Sequence, residues 1–117
     1  MSRTIGIPDS AETVEVDLFG TIYTTVPLTR SREIAVEEIR QQVEKLKPDD
    51  FETVDAANKA AATLFCKQAD EFLRPPEGKR KKASALLLTA YLEDKMTFRQ
   101  LEQLLQDIAE AVADRPT

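Results

Sequence analysis

The sequence predicts a mainly helical α+β fold, an N-terminal β-hairpin followed by about four packed helices in a single domain. Three observations predict it. Residues 14–26 alternate apolar and polar side chains at a period of two, the signature of half-buried strands. From Ser31 onward apolar residues recur three and four apart, the stripe of amphipathic helices. The whole chain of 117 residues fits one domain of ordinary size, able to bury a core without disulfides or metals.

Residues 1–12 carry Gly6, Pro8, Asp9 and Ser10 and read as a flexible arm. In the hairpin, Val14, Val16 and Leu18 point one way, and Glu15 and Asp17 the other. Ile22–Val26 is equally rich in strand formers. Gly20-Thr21 between them matches a type II′ turn, whose first position needs a positive φ. That turn sets Phe19 opposite Ile22, Leu18 opposite Tyr23 and Val16 opposite Thr25. Val16, Leu18 and Tyr23 then share a core face, while Phe19, Ile22 and Val26 share the other. A two-stranded hairpin is marginal in water, so it must dock on the helices or recruit a further strand.

The helical region spans 31–113. The first helix, at about 31–47, has Thr29 or Ser31 as cap and a stripe of Val36, Ile39, Val43 and Leu46. Pro48 stops it. Asp49 with Glu52 resembles a capping box for a second helix running to about Leu73. Phe51, Val54, Phe65 and Phe72 are available to its core, and its alanine-rich middle allows close helix approach. A Pro-Gly turn at 74–78 reverses the chain. Leu86, Leu87 and Leu88 point in three directions on a third helix, which places that helix at the centre of the core. Thr97 with Gln100 makes a capping box for the fourth, with Met96 and Leu101 as its hydrophobic staple. Arg115-Pro116 ends it.

Composition narrows function more than it identifies it. There is no histidine, and the carboxylates are scattered over solvent faces of helices, so general acid–base chemistry lacks a centre. The lone Cys66 sits among apolar residues with no imidazole to activate it. No spacing fits a metal or a cofactor. The reading is a non-enzymatic binding protein with no catalytic, cofactor or metal site. A net charge of −5 argues against nucleic acid as a partner. The absence of a signal-like start, of a membrane-length apolar run and of paired cysteines points to a soluble protein in a reducing cytoplasm.

Candidate partner-binding residues fall in three places. Phe19 and Ile22 lie on the non-core face of the hairpin, whose edges are open to strand pairing. Lys79, Arg80, Lys81 and Lys82 stand at a helix start, where the dipole disfavours cations, so they read as a docking patch or as a solvated cluster. Leu86 and Leu88 belong to a leucine run that serves the core or grips another chain.

The opening DLFGTIYTTVPLTRS resembles that of tail assembly chaperones of long-tailed, siphovirus-type bacteriophages: a strand ending in an FG turn, a second strand, and a TRS helix start. The Pro-containing turn before GKRKKAS and the acidic last helix ending in ADRPT are similar too. The resemblance implies a small helical chaperone of virion assembly in the host cell cytoplasm. It would bind and solubilise the tape measure protein, promote assembly of tail tube protein around it, and be absent from the mature virion. It also implies that this chain is the short form of a frameshifted pair, with self-association open. Under this expectation Leu86–Tyr91 or the hairpin face contacts the client. A head–tail connector or completion protein is the alternative, and a small DNA-binding regulator a weaker one.

Overall fold

A computed structural model of the protein describes residues 13–79 and 81–113. The expected arm at 1–12, Arg80 and the Arg115-Pro116 stop lie outside the described residues. The rest forms a three-stranded antiparallel sheet and four α-helices, the predicted hairpin and helices with a short third strand added.

Strands β1 (Glu15–Leu18) and β2 (Thr21–Thr25) form the hairpin, but its turn sits one residue earlier than expected. Leu18 pairs with Thr21, Asp17 with Ile22, Val16 with Tyr23 and Glu15 with Thr24. The loop is therefore Phe19-Gly20, with φ of +53° and +92°. Two left-handed residues make a type I′ turn, not type II′, and its twist matches that of the strands. The Asp17 carboxylate helps to hold it by accepting the Gly20 N–H at 2.8 Å. Moving the loop by one residue slides the partner strand by two, so the faces survive. Leu18 and Tyr23 are buried as expected and Val16 is half-buried. Phe19 bears the cost: a bulky residue in left-handed geometry is strained by about 1 kcal/mol.

Val26, expected on the outer face, is instead buried. β2 ends before it, and its N–H donates to the Phe72 carbonyl at 2.9 Å as the chain turns inward. This bond continues a ladder with β3 (Leu73–Arg74), which pairs with β2 through Leu73–Thr25 and Arg74–Thr24. So the hairpin does recruit a third strand. Arg74 precedes Pro75, and a residue before proline is pushed into extended geometry.

Helix α1 (Arg30–Glu44) starts at Thr29, whose hydroxyl accepts the Arg32 N–H at 3.3 Å. Beyond it the chain makes a single 3₁₀ turn, Pro48–Asp50, so the expected Asp49–Glu52 box does not form. Thr53 takes over as cap, accepting the Ala56 N–H at 3.0 Å, and α2 (Val54–Phe72) follows. That later start leaves Val54 77% exposed rather than in the core. α3 (Ala83–Leu92) begins after the lysines, which lie in the preceding loop and not on the helix. Its first turn is capped from a distance, by the Asp70 carboxylate accepting the Ser84 N–H at 2.9 Å. α4 (Phe98–Ala113) has the reciprocal capping box the sequence predicts. Gln100 N–H donates to the Thr97 hydroxyl at 3.1 Å, and Thr97 N–H to the Gln100 side chain at 2.8 Å.

The central helix is α2, not α3: α1, α3 and α4 all pack on it. Its buried positions Ala62, Cys66 and Ala69 are small and 4-3 spaced, which lets neighbours approach closely. α3 buries Ala83, Leu87 and Ala90 but leaves Leu92 54% exposed on the far side. A helix apolar all round thus ends with one face uncovered, because its main neighbours among the described residues, α2, α4 and β1, leave that side open. The core lies between α2, α3, α4 and the inner sheet face. Phe98 joins the three helices, 5.8 Å from Phe65 and 6.3 Å from Tyr91 between ring centroids.

Candidate partner-binding site

Two surfaces carry apolar side chains that the fold leaves partly uncovered. The first is a groove between α1, α2 and α4. Val36 and Val43 from α1, Phe65 and Phe72 from α2, and Leu105 and Ala109 from α4 line a space of about 360 Å³. α1 packs along α2, tied at its start by Arg32, whose guanidinium donates to the Glu71 carbonyl at 3.1 Å. Yet no residue of α1 is buried: Val36, Ile39 and Val43 are half-exposed and Ile34 is 45% exposed. On the rim Arg40 pairs with both Glu37 and Glu44. The hydrogen bond from Arg40 holds the Glu37 carboxyl below its usual range. Glu102 and Gln106 complete a polar border.

The second surface is a crevice of about 210 Å³ where the hairpin tip meets α3, lined by Phe19, Lys81, Leu86, Thr89, Ala90 and Lys95. It gathers three of the residues marked from sequence, Phe19, Lys81 and Leu86. The link between the two elements is Tyr23, whose buried hydroxyl donates to the Lys81 carbonyl at 2.7 Å. The other marked residues scatter. Ile22 is 40% exposed on the outer sheet face. Lys79 and Lys82 are exposed in the loop before α3. Leu88 is half-buried and packs against the core.

No protein-family model matches this chain, and neither a curated protein nor a solved structure matches it. The geometry must therefore carry the reading of the site. Among the described residues no three His, Cys, Asp or Glu side chains form a group able to hold a metal ion. Burial, with the Asp70 carboxylate adding, pushes the Cys66 thiol up to about 12, so it stays protonated at neutral pH. Burial likewise raises the Tyr23 and Tyr91 hydroxyls. Two larger crevices are lined by several charged side chains, some of which are held in structural bonds. In one, Arg32 and Asp70 are held by the backbone bonds given above. In the other, Lys59 pairs with Asp55 at 3.0 Å. No helix among the described residues is long and apolar enough to cross a membrane.

The α1 groove was not marked in the sequence, although the signal was there. The α1 stripe is a single row three and four apart, narrower than the broad face of a fully covered helix. That narrowness is what a half-covered helix looks like in sequence.

Proposed function

We propose that this protein is a non-enzymatic assembly chaperone that covers apolar helical surface on a client. The observation that carries the reading is α1, an amphipathic helix with no buried residue, bordering an apolar groove. A client helix laid along that groove would cover Val36 and Val43 from the solvent side, the helix-in-groove mode of recognition. The resemblance of the sequence from Val14 onward to phage tail assembly chaperones supports a particular client, the tape measure protein. Tail tube protein is then a second partner, the host cytoplasm is the place of action, and the mature virion lacks the chain. Net negative charge favours solubility of the loaded complex.

Co-expression with a helical tape measure fragment tests this. The wild-type chain should keep the fragment in the soluble fraction. Val36→Asp with Val43→Asp should weaken binding by about tenfold or more, the effect of losing a well-packed apolar anchor. The circular dichroism of the variant should stay that of the wild type, since neither residue is buried. Equal rescue by the variant would sink the groove assignment. Finding the chain in purified particles by mass spectrometry would favour a connector instead.

A further inference from the structure

We propose that the hairpin tip and the start of α3 form a second docking site, which takes an acidic amphipathic helix from a partner protein. This site is separate from the α1 groove and stands whether or not the client reading holds, because the two share no residue.

The apolar part is Phe19 and Leu86, which line the crevice together. Phe19 is 54% exposed, and the crevice beside it, about 210 Å³, exceeds the roughly 150 Å³ cavity that holds a benzene. One branched or aromatic side chain from a partner therefore fits. The polar part is cationic. Lys81 and Lys95 line the crevice, and Lys79 and Lys82 flank Lys81 in the chain. Among the described residues no carboxylate pairs with Lys79, Lys81 or Lys82, while Lys95 shares an exposed pair with Glu93 at 3.1 Å. In a chain of net charge −5 these lysines make a local run of the opposite sign, with Lys81 unpaired beside Phe19 and Leu86 in the crevice and Lys79 and Lys82 on the same loop. It complements a helix whose apolar stripe is bordered by carboxylates.

The position is fixed on both sides. The Tyr23 hydroxyl on the Lys81 carbonyl anchors the basic loop to the hairpin. The type I′ turn places Phe19 at the apex with φ of +53°, a conformation that asparagine or glycine adopts with less strain. A phenylalanine there weakens the hairpin locally and presents a ring to solvent, as expected of a residue placed for contact.

The test uses the full chain and two fluorescent peptides of about 18 residues, five helical turns, with the same leucine and phenylalanine stripe. One is bordered by glutamates, the other by lysines. By fluorescence anisotropy the acidic peptide should bind and the basic one should not, and added salt should weaken the complex. Lys81→Glu with Lys95→Glu should lower affinity by about tenfold or more. Phe19→Asn should lower it similarly while raising the midpoint of thermal unfolding by about 2 to 6 °C, so lost binding cannot be laid to unfolding. The proposal is overturned by an acidic peptide that does not bind the wild-type chain, by equal binding of the basic peptide, or by undiminished binding to Phe19→Asn.

Discussion

Helices α1 and α4 carry the same 3-4 apolar spacing and meet opposite fates on the same neighbour. In α4, Leu101, Leu105, Ile108 and Val112 are all at most 4% exposed, whereas α1 buries nothing. Both pack on α2. The difference is width and company. α4 adds Phe98, Leu104 and Ala109 beside its main row and also meets α3, so two neighbours close over it. α1 offers one row, mainly to α2, and its side chains stay partly exposed. Equal periodicity thus tells which face turns inward but not how completely it is covered.

Paired truncations should expose this contrast most strongly. Leu105→Ala should cost about 2 to 5 kcal/mol, as for a closed core site. Val43→Ala should cost about 1 kcal/mol or less, because much of its surface is already in water. Urea unfolding of both variants measures this, and equal losses would break the distinction between the two helices.

A second test concerns the closed side of α2. Cys66 lies in the same buried cluster as the α4 stripe, and its thiol is raised from 9.0 to about 12. The folded chain keeps that proton where the unfolded chain releases it. The contribution is therefore whole below pH 9.0 and is lost as pH rises towards about 12. Stability should fall by about 1 kcal/mol between pH 9 and 10, the scale of one pKa unit. Cys66→Ala should flatten that slope. A thiol that titrates in the folded chain near its ordinary value would show the α4 side of the helix to be open.

An effect smaller than that of Leu105→Ala is expected from the two threonine caps. Thr97→Ala and Thr29→Ala should each cost about 0.5 to 2 kcal/mol at the helix they start. For α4, held in the core, the loss should appear in the global midpoint. For α1 it should appear as faster amide exchange in its first turns, with little change in the midpoint. A global shift of equal size from Thr29→Ala would mean that α1 is integrated more firmly than its exposure indicates.

Much of this architecture was readable in the residues. The hairpin, the Thr97–Gln100 box and the α4 stripe depend on local rules, and local rules are written in neighbouring side chains. The misplacements share a different cause. The turn could form at Gly20-Thr21 or Phe19-Gly20, and in the one that forms the Asp17 carboxylate accepts the Gly20 N–H, a contact the alternation alone does not reveal. The start of α2 lay between two polar caps, and Thr53 prevailed over Asp49. β3 is two residues long and is defined by its partner β2, so only Pro75 hinted at it. The apolar α3 read as central because sequence cannot say how many neighbours will arrive. For the candidate sites, Phe19, Lys81 and Leu86 were marked separately, but their meeting depends on packing. The α1 groove showed in the sequence only as the narrow α1 stripe, and its walls from α2 and α4 depend on packing.

One consequence of β3 reaches beyond the fold. By taking one side of β2 it leaves β1 as the long outer strand, and among the described residues nothing pairs along its free edge. That edge is only four residues long and alternates Glu15 and Asp17 with its apolar positions. A second molecule adding its own β1 there would bring carboxylates against carboxylates. Short length and like charge are the usual guards against strands zipping into aggregates. A protein proposed to hold sticky helices in solution thus carries its own protection against becoming the seed of a precipitate.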